Sequence, residues 1–454
     1  MSLGFINPVQ YISYKPTAVS GVNIVRSKSD DEELQKLLST TQQFLVKNYS
    51  VEFAKAVVDP KVRANVKYYI ANFISEQRGL NFTISMESVI EYIQTEITEM
   101  GVLQPALDDP SISSIEVNGP RQVIAERDGF PVHLKEIVFQ DVDHIKKTID
   151  KLLQSVGKVL TSNEPSIDAN YRGFRINVIQ DVRNGGLSTG GPIISIRKFP
   201  PDVFSDEDCI SYGNISQDIS EFLSDVIPYG TSSIVSGGTN SGKTTQLLRI
   251  PGYYEPITRF FCIEDSEEMM LTNKTSYKEY PNIASVIVRE HEDPAKAYPI
   301  SKLVKISLRQ NPDVILIGEV RDKDTAIQAI AAANTGHAVH MTVHSNSAAD
   351  TAKRMLQLCD SDAAFGPQIA SSFDLIIYQK YENNTGKRVV FEIGELLGYS
   401  GMEPEINPIF NYDPSTRTFK HVNKLKKLTR KLKSENAPQH VIDRWCEEVE
   451  DRAL

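Results

Sequence analysis

The chain has 454 residues, 40% hydrophobic and 24% charged, an ordinary globular composition long enough for two or three domains. A formal net charge of −10 argues against a protein that coats nucleic acid through a positive field, though not against a local basic patch. Cys209, Cys262, Cys359 and Cys446 are far apart and form no CxxC pair, which argues against a tetracysteine zinc site and fits free thiols in a reducing cytoplasm.

No run of about 18 apolar residues occurs, so no membrane span is expected. The N-terminus lacks the charged start and apolar run of a secretory signal. The expected location is the cytosol, or the inner face of a membrane by way of partners. Residues 1–30 read as irregular, and helical runs follow at 32–49, 61–77 and 86–100, giving a helical extension over 1–95 with no chemistry of its own. Over 96–204 the pattern mixes strands at 113–119, 122–129, 175–182 and 192–199 with an amphipathic helix at 141–157, an α+β domain. Pro200-Pro201 reads as a linker.

From 205 to about 405 strands alternate with helices. Strands are expected at 231–238, 259–265, 314–320 and 337–344, and helices at 294–310 and 323–336. The fold class is therefore α/β, with a mostly parallel sheet covered by helices on both faces. The remaining segment, 406–454, contains the basic run 420–433, in which Leu425, Leu428 and Leu432 fall at helical spacing. It reads either as a solvated helix docked by its leucines or as a contact for an acidic partner or anionic lipid.

Gly237-Gly238-Thr239-Asn240-Ser241-Gly242-Lys243-Thr244 fits GxxxxGK[ST] at every required position, with a β-branched strand before it and a helical run after it. Glycines let backbone N–H groups curl around phosphate oxygens, and a helix N-terminus adds partial positive charge. Lys243 can reach the β- and γ-phosphates of ATP, and the Thr244 hydroxyl can ligate Mg²⁺. Thr245 closes the phosphate-binding run 237–245.

Two apolar strands end in acids. The strand 314–320 ends in Gly318-Glu319, and a carboxylate at such a tip sits where ligands bind in open α/β sheets, so Glu319 is the candidate to orient or deprotonate water. The strand 259–265 ends in Glu264 and Asp265, candidates for the water shell of Mg²⁺. The segment 335–346 carries His337, His340 and His344. Strand alternation puts His340 and His344 on one face, with His337 in the entering turn and His344 placed to sense the γ-phosphate.

Together these blocks resemble the secretion-system traffic ATPases, which power type II secretion, type IV secretion and type IV pili. SGGTNSGKTT is similar to their Walker A, FFCIEDSEE to their aspartate box, LRQNPDVILIGEVRD to their Walker B and TGHAVHMTVHSNSAAD to their histidine box. Residues 101–129 and ISIRKF extend the likeness toward the branch that drives Tad-type pili and related filaments, so that it covers roughly 100–400. Two departures stand out. Ser266 replaces a proline that is common in pilus members, and no tetracysteine insertion is present, which argues against the type II secretion and pilus-extension subfamilies.

The resemblance implies a homo-hexameric ring in which each subunit pairs an N-terminal domain with a RecA-like P-loop domain, ATP lying between them. It implies Glu319 as the catalytic glutamate, Glu264 and His344 near the γ-phosphate, His337 as the first box histidine, and Arg175 and Arg197 as arginines brought to the γ-phosphate. The expected activity is ATP hydrolysis driving assembly or retraction of a pilus or secretion machine through an inner-membrane platform protein, with no direct nucleic-acid contact. A conjugation or protein-export ATPase and a nucleotide-sensing adaptor with little hydrolysis stand as alternatives.

Overall fold

The computed structural model describes residues 28–56, 59–171, 173–199 and 202–448, so the Pro200-Pro201 linker and all of the irregular reading of 1–30 except 28–30, which are helical, lie outside the described residues. Contacts divide the chain into two compact units between Lys198 and Phe199.

The first unit opens with helices α1 (Lys28–Asn48), α2 (Ser50–Ala56), α3 (Pro60–Glu76) and α4 (Met86–Thr98). They bury Leu34, Leu45, Val66, Ile70, Val89 and Ile93 in one small core. Asp59 caps α3 and Ser85 caps α4 through side-chain oxygens, satisfying N–H groups the first turn leaves unpaired. The short helix α5 (Gln104–Asp108) then leads into a sheet of β1 (Ile112–Gly119), β2 (Gln122–Arg127), β3 (Phe130–His133), β4 (Ser166–Tyr171), β5 (Phe174–Ile179) and β6 (Ile193–Lys198), with α6 (Val142–Ser155) between β3 and β4. Its order is β3-β2-β1-β6-β5-β4, antiparallel throughout. Asp128 and Gly129 take left-handed φ values of 51° and 84°, the hairpin turn that Asp-Gly favours, so the chain returns as β3, a strand the alternation in so short a run does not reveal.

The second unit begins with α7 (Asp206–Tyr212) and α8 (Gln217–Val226), then β7 (Ser233–Gly237), α9 (Lys243–Arg249), β8 (Phe260–Glu264), β9 (Ile283–Ile287), α10 (Ile300–Ser307), β10 (Val314–Ile317), α11 (Lys323–Asn334), β11 (Ala338–His344), α12 (Ala348–Leu358) and α13 (Phe365–Ser372). A run of antiparallel strands follows, β12 (Leu375–Glu382), β13 (Lys387–Ser400), β14 (Glu403–Asp413) and β15 (Thr418–His421), and the described chain closes with α14 (Leu428–Ser434) and α15 (Gln439–Trp445). The sheet order is β15-β14-β13-β12-β7-β11-β10-β8-β9. From β12 to β9 every pairing is parallel. All residues of β7, β8 and β10 are buried, as strands covered on both faces must be.

Three expectations change. The helix read over 294–310 starts only at Ile300, because Tyr298 bridges to Arg289 and Pro299 stands at the cap. The boundary drawn at 405/406 falls inside β14, and the one at 95/96 inside α4. The basic run 420–433 is helical only over Leu428–Ser434. Leu425, Leu428 and Leu432 are fully buried there, and much of its charge is spent inside the unit. Lys427 donates to the carbonyls of Ala370 and Phe373, and Lys431 to Asp374 at 2.8 Å. The docked reading holds, and these lysines are not available to a lipid surface.

Arg249 at the end of α9 is buried and ion-pairs with Asp206 at the start of α7, where Tyr253 and Ser220 also bind. Breaking such a pair leaves an uncompensated buried charge. We expect Asp206→Ala to destabilise this unit by about 3 kcal/mol, the low end of the usual range because Asp206 is partly exposed. Denaturant unfolding followed by fluorescence of Trp445, the only tryptophan, measures it.

Candidate nucleotide site

Parallel pairing puts the C-terminal tips of four strands along one edge. His344 lies opposite Gly237, Ile317 opposite both Met341 and Ile263. The phosphate loop leaves β7 there, and the acid-bearing turns leave β8 and β10 beside it. Gly237 is required by crowding, since a Cβ would collide with the Gln379 carbonyl oxygen. Gly242, at φ 92°, forms the left-handed entry to α9, where Lys243, Thr244 and Thr245 make the first turn. Gly238 and Thr239 stand exposed at the loop tip.

Lys243 is buried and folded back onto its own loop. Its ammonium donates to the Gly237 and Gly238 carbonyls at 3.1 and 2.8 Å and meets His344 Nδ1 at 3.3 Å. An ammonium only donates, so Nδ1 accepts and Nε2 carries the ring proton. That proton faces Glu319 Oε1 at 3.2 Å. Arg321 completes the row, donating to Glu319 Oε2 at 2.7 Å and to Asp265 at 3.2 Å.

Electrostatics separates the two glutamates. Burial would raise the Glu319 carboxyl, but Arg321, by hydrogen bond and charge, with His344 and Lys243 beyond it, outweighs burial and holds it below the usual carboxylate value. Glu264 accepts from the Met269 and Met270 amides at 2.6 and 3.2 Å, yet burial dominates and pushes its pKa up. Burial and then the Lys243 charge hold His344 below the ordinary histidine value.

The structure thus brings Lys243, His344 and Glu319 together and joins Asp265 to them through Arg321. It places other expected residues elsewhere. Both Glu264 oxygens accept from amides of the loop after β8. His337, held by Thr335 and the Ala332 carbonyl, lies at the start of β11, seven residues from His344, roughly 23 Å along a strand. It is therefore at the opposite end of the strand from the phosphate loop. Arg175 and Arg197 belong to the first unit, where they are direct cross-strand partners on β5 and β6, with Arg175 3.8 Å from Asp168.

Three residues carry weight that sequence reasoning missed. Arg321 stood inside the quoted Walker B block, two residues beyond Glu319. Gln379 and Arg388 brace the loop from β12 and β13, Gln379 donating to the Ser241 carbonyl at 2.7 Å and Arg388 to the Asn240 carbonyl at 3.0 Å and side-chain oxygen at 2.9 Å. No local pattern marks either one.

A sequence model described as type II/IV secretion system protein matches residues 96–388, nearly two-thirds of the chain. The chain belongs to this family. It is 28% identical over 316 residues to an uncharacterized protein of Methanocaldococcus jannaschii, covering 68% of this chain and 54% of that one. It is 37% identical over 147 residues to the type IV pilus assembly ATPase PilB of Pseudomonas aeruginosa, covering 32% and 23%. It is 28% identical over 210 residues to the pilus retraction ATPase PilT of the same organism, covering 45% and 54%. The chain spans about half the length of these relatives, or less. Its second unit carries the expected mostly parallel sheet, with four parallel strand tips on the edge where the phosphate loop begins. Among the described residues no helix is long and apolar enough to cross a membrane.

His340, on the same strand as His344, is a core residue: Ser233 Oγ lies 2.7 Å from Nδ1 and the Tyr254 hydroxyl 3.1 Å from Nε2. Burial, aided by the Lys431 charge, pushes its pKa down to about 3 from 6.5. Between those values the unfolded chain binds more protons, so stability is lost as pH falls through that window, by about 1.4 kcal/mol per pH unit. We expect His340→Gln to remove that slope from unfolding curves collected between about pH 6 and pH 4.

Proposed function

We propose that the chain hydrolyses ATP as one subunit of a homo-hexameric motor that drives assembly or retraction of a type IV-like pilus or secretion machine. It would work at the cytoplasmic face of the membrane through an inner-membrane platform protein. The observation that carries this reading is the hydrogen-bonded row Arg321–Glu319–His344–Lys243 ending on the phosphate loop. A phosphate loop alone binds nucleotide; a loop joined to an ionised carboxylate can also direct water.

The chemistry follows from those contacts. The Lys243 ammonium now rests on two loop carbonyls, and incoming β- and γ-phosphate oxygens are stronger acceptors for it. Its transfer to them releases His344 Nδ1, which becomes free to accept from a γ-phosphate-bound water. Glu319, ionised at neutral pH, accepts a hydrogen bond from the attacking water and aligns it with the γ-phosphorus. Arg175 and Arg197, paired on one strand face, would add positive charge to the transferred group when the N-terminal domain closes.

Mg²⁺ fits the donors present. It takes oxygen ligands, usually one or two from protein with the rest from phosphates and water. Thr244, on the first turn of α9, offers the direct hydroxyl, and Glu319 and Asp265 the outer carboxylates. When bound, the ion neutralises charge on the β- and γ-phosphates.

We expect purified protein to turn over ATP and Glu319→Gln to lose at least about 10²-fold in kcat while still binding nucleotide. Light scattering with ATP should give a six-subunit mass. If both proteins bind ATP and neither turns it over, a nucleotide-sensing adaptor is the better account.

A further inference from the structure

The phosphate loop takes positive φ at three places, Gly237, Asn240 and Gly242, and only Asn240 carries a side chain, at φ 62°. Glycine adopts that region freely, whereas an L side chain must be held in it. The holding group comes from far along the chain. Arg388 on β13 places one guanidinium N–H on the Asn240 carbonyl at 3.0 Å and another on the Asn240 side-chain oxygen at 2.9 Å. Gln379 on β12 fixes the next carbonyl, that of Ser241, at 2.7 Å. In a planar trans peptide the N–H points opposite to the carbonyl. Anchoring these two oxygens toward the hairpin therefore sets the direction of the Ser241 and Gly242 N–H groups, while a carbonyl turned inward would repel a phosphate.

We infer that Arg388, assisted by Gln379, is a positioning residue for the phosphate loop: it holds Asn240 left-handed and thereby sets the affinity for nucleotide phosphates. The inference rests on the ATP-hydrolysing reading above. Because Arg388 acts on the loop before nucleotide arrives, its loss weakens binding more than the chemical step. Glycine at position 240 makes the brace dispensable, a relation that a merely structural arginine would not show.

The test uses the full chain, with steady-state ATPase kinetics and equilibrium binding of a fluorescent N-methylanthraniloyl ATP. Losing a two-point charged hydrogen bond should raise KM and Kd about tenfold in Arg388→Gln, with kcat within about twofold. Arg388→Lys, which keeps the charge and the stem but not the fork, should recover only part of this. Adding Asn240→Gly to Arg388→Gln should return Kd to within about twofold of wild type. A Kd for both Arg388 variants that stays within about twofold of wild type overturns the inference, as does a tenfold loss that Asn240→Gly leaves undiminished. If wild type neither binds nor hydrolyses ATP, the functional reading falls and takes the inference with it. If wild type does both and the Arg388 variants are unaffected, the inference alone falls.

Discussion

The second unit depends on the parallel register of β7, β11, β10 and β8. Parallel strands end on the same side, so the loops that follow them meet without any long excursion of the chain. His344 pairs with Gly237, and Ile317 with Met341 and Ile263, so the residues one or two beyond each strand are set within a side chain's length of each other. The register is strongly specified because these strands are buried on both faces, and a slip of one residue would misplace every side chain they carry. Gly318 is part of the same constraint. Its N–H binds the Ile263 carbonyl at 2.8 Å and its carbonyl accepts from Thr342 at 2.5 Å, so the turn bearing Glu319 is pinned to both neighbouring strands.

Within that frame the charged groups at the strand tips are paired with one another. Lys243 is satisfied by two carbonyls of its own loop, and Glu319 by Arg321 and His344. Charges confined beside one another in a half-buried edge must be paired, because leaving either alone costs more than the pairing returns. On the proposed reading, binding of a polyanion would reorder those pairs, since phosphates compete for the lysine and not for the carboxylate. That asymmetry would leave His344 Nδ1 without its lysine donor while Glu319 kept Arg321.

Much of this was legible in the sequence, and the reasons are local. Gly237 and Gly242 are demanded by backbone approach and by a left-handed entry to α9, so their spacing from Lys243 can be read directly. The apolar runs before Glu264 and Glu319 are those of strands buried on both faces. What was not legible depends on contacts distant in the chain. The strands β13, β14 and β15 extend the parallel sheet with antiparallel hairpins, and their mixed, half-exposed residues carry no clean alternation. The charge of 420–433 suggested an exposed helix, because the sequence does not show that Asp374 and the carbonyls ending α13 wait for Lys427 and Lys431. Arg388 lies 148 residues from Asn240 and no spacing rule joins them.

The two glutamates show why position at a strand tip does not by itself assign a role. Glu264 and Glu319 follow neighbouring parallel strands and look alike in sequence. Glu264 is more deeply buried and accepts from two amides of its own loop, pairing the Met269 and Met270 N–H groups. Burial raises its pKa all the same, against the lowering effect of those amides. Glu319 is bound only by side chains, which can rotate away, and its partners keep it ionised. A carboxylate that must change partners during a cycle has to be held by groups that can move. On that ground Glu264 is held by the backbone of its own loop, while Glu319 sits among side chains that can exchange partners, as the proposed water-directing role requires.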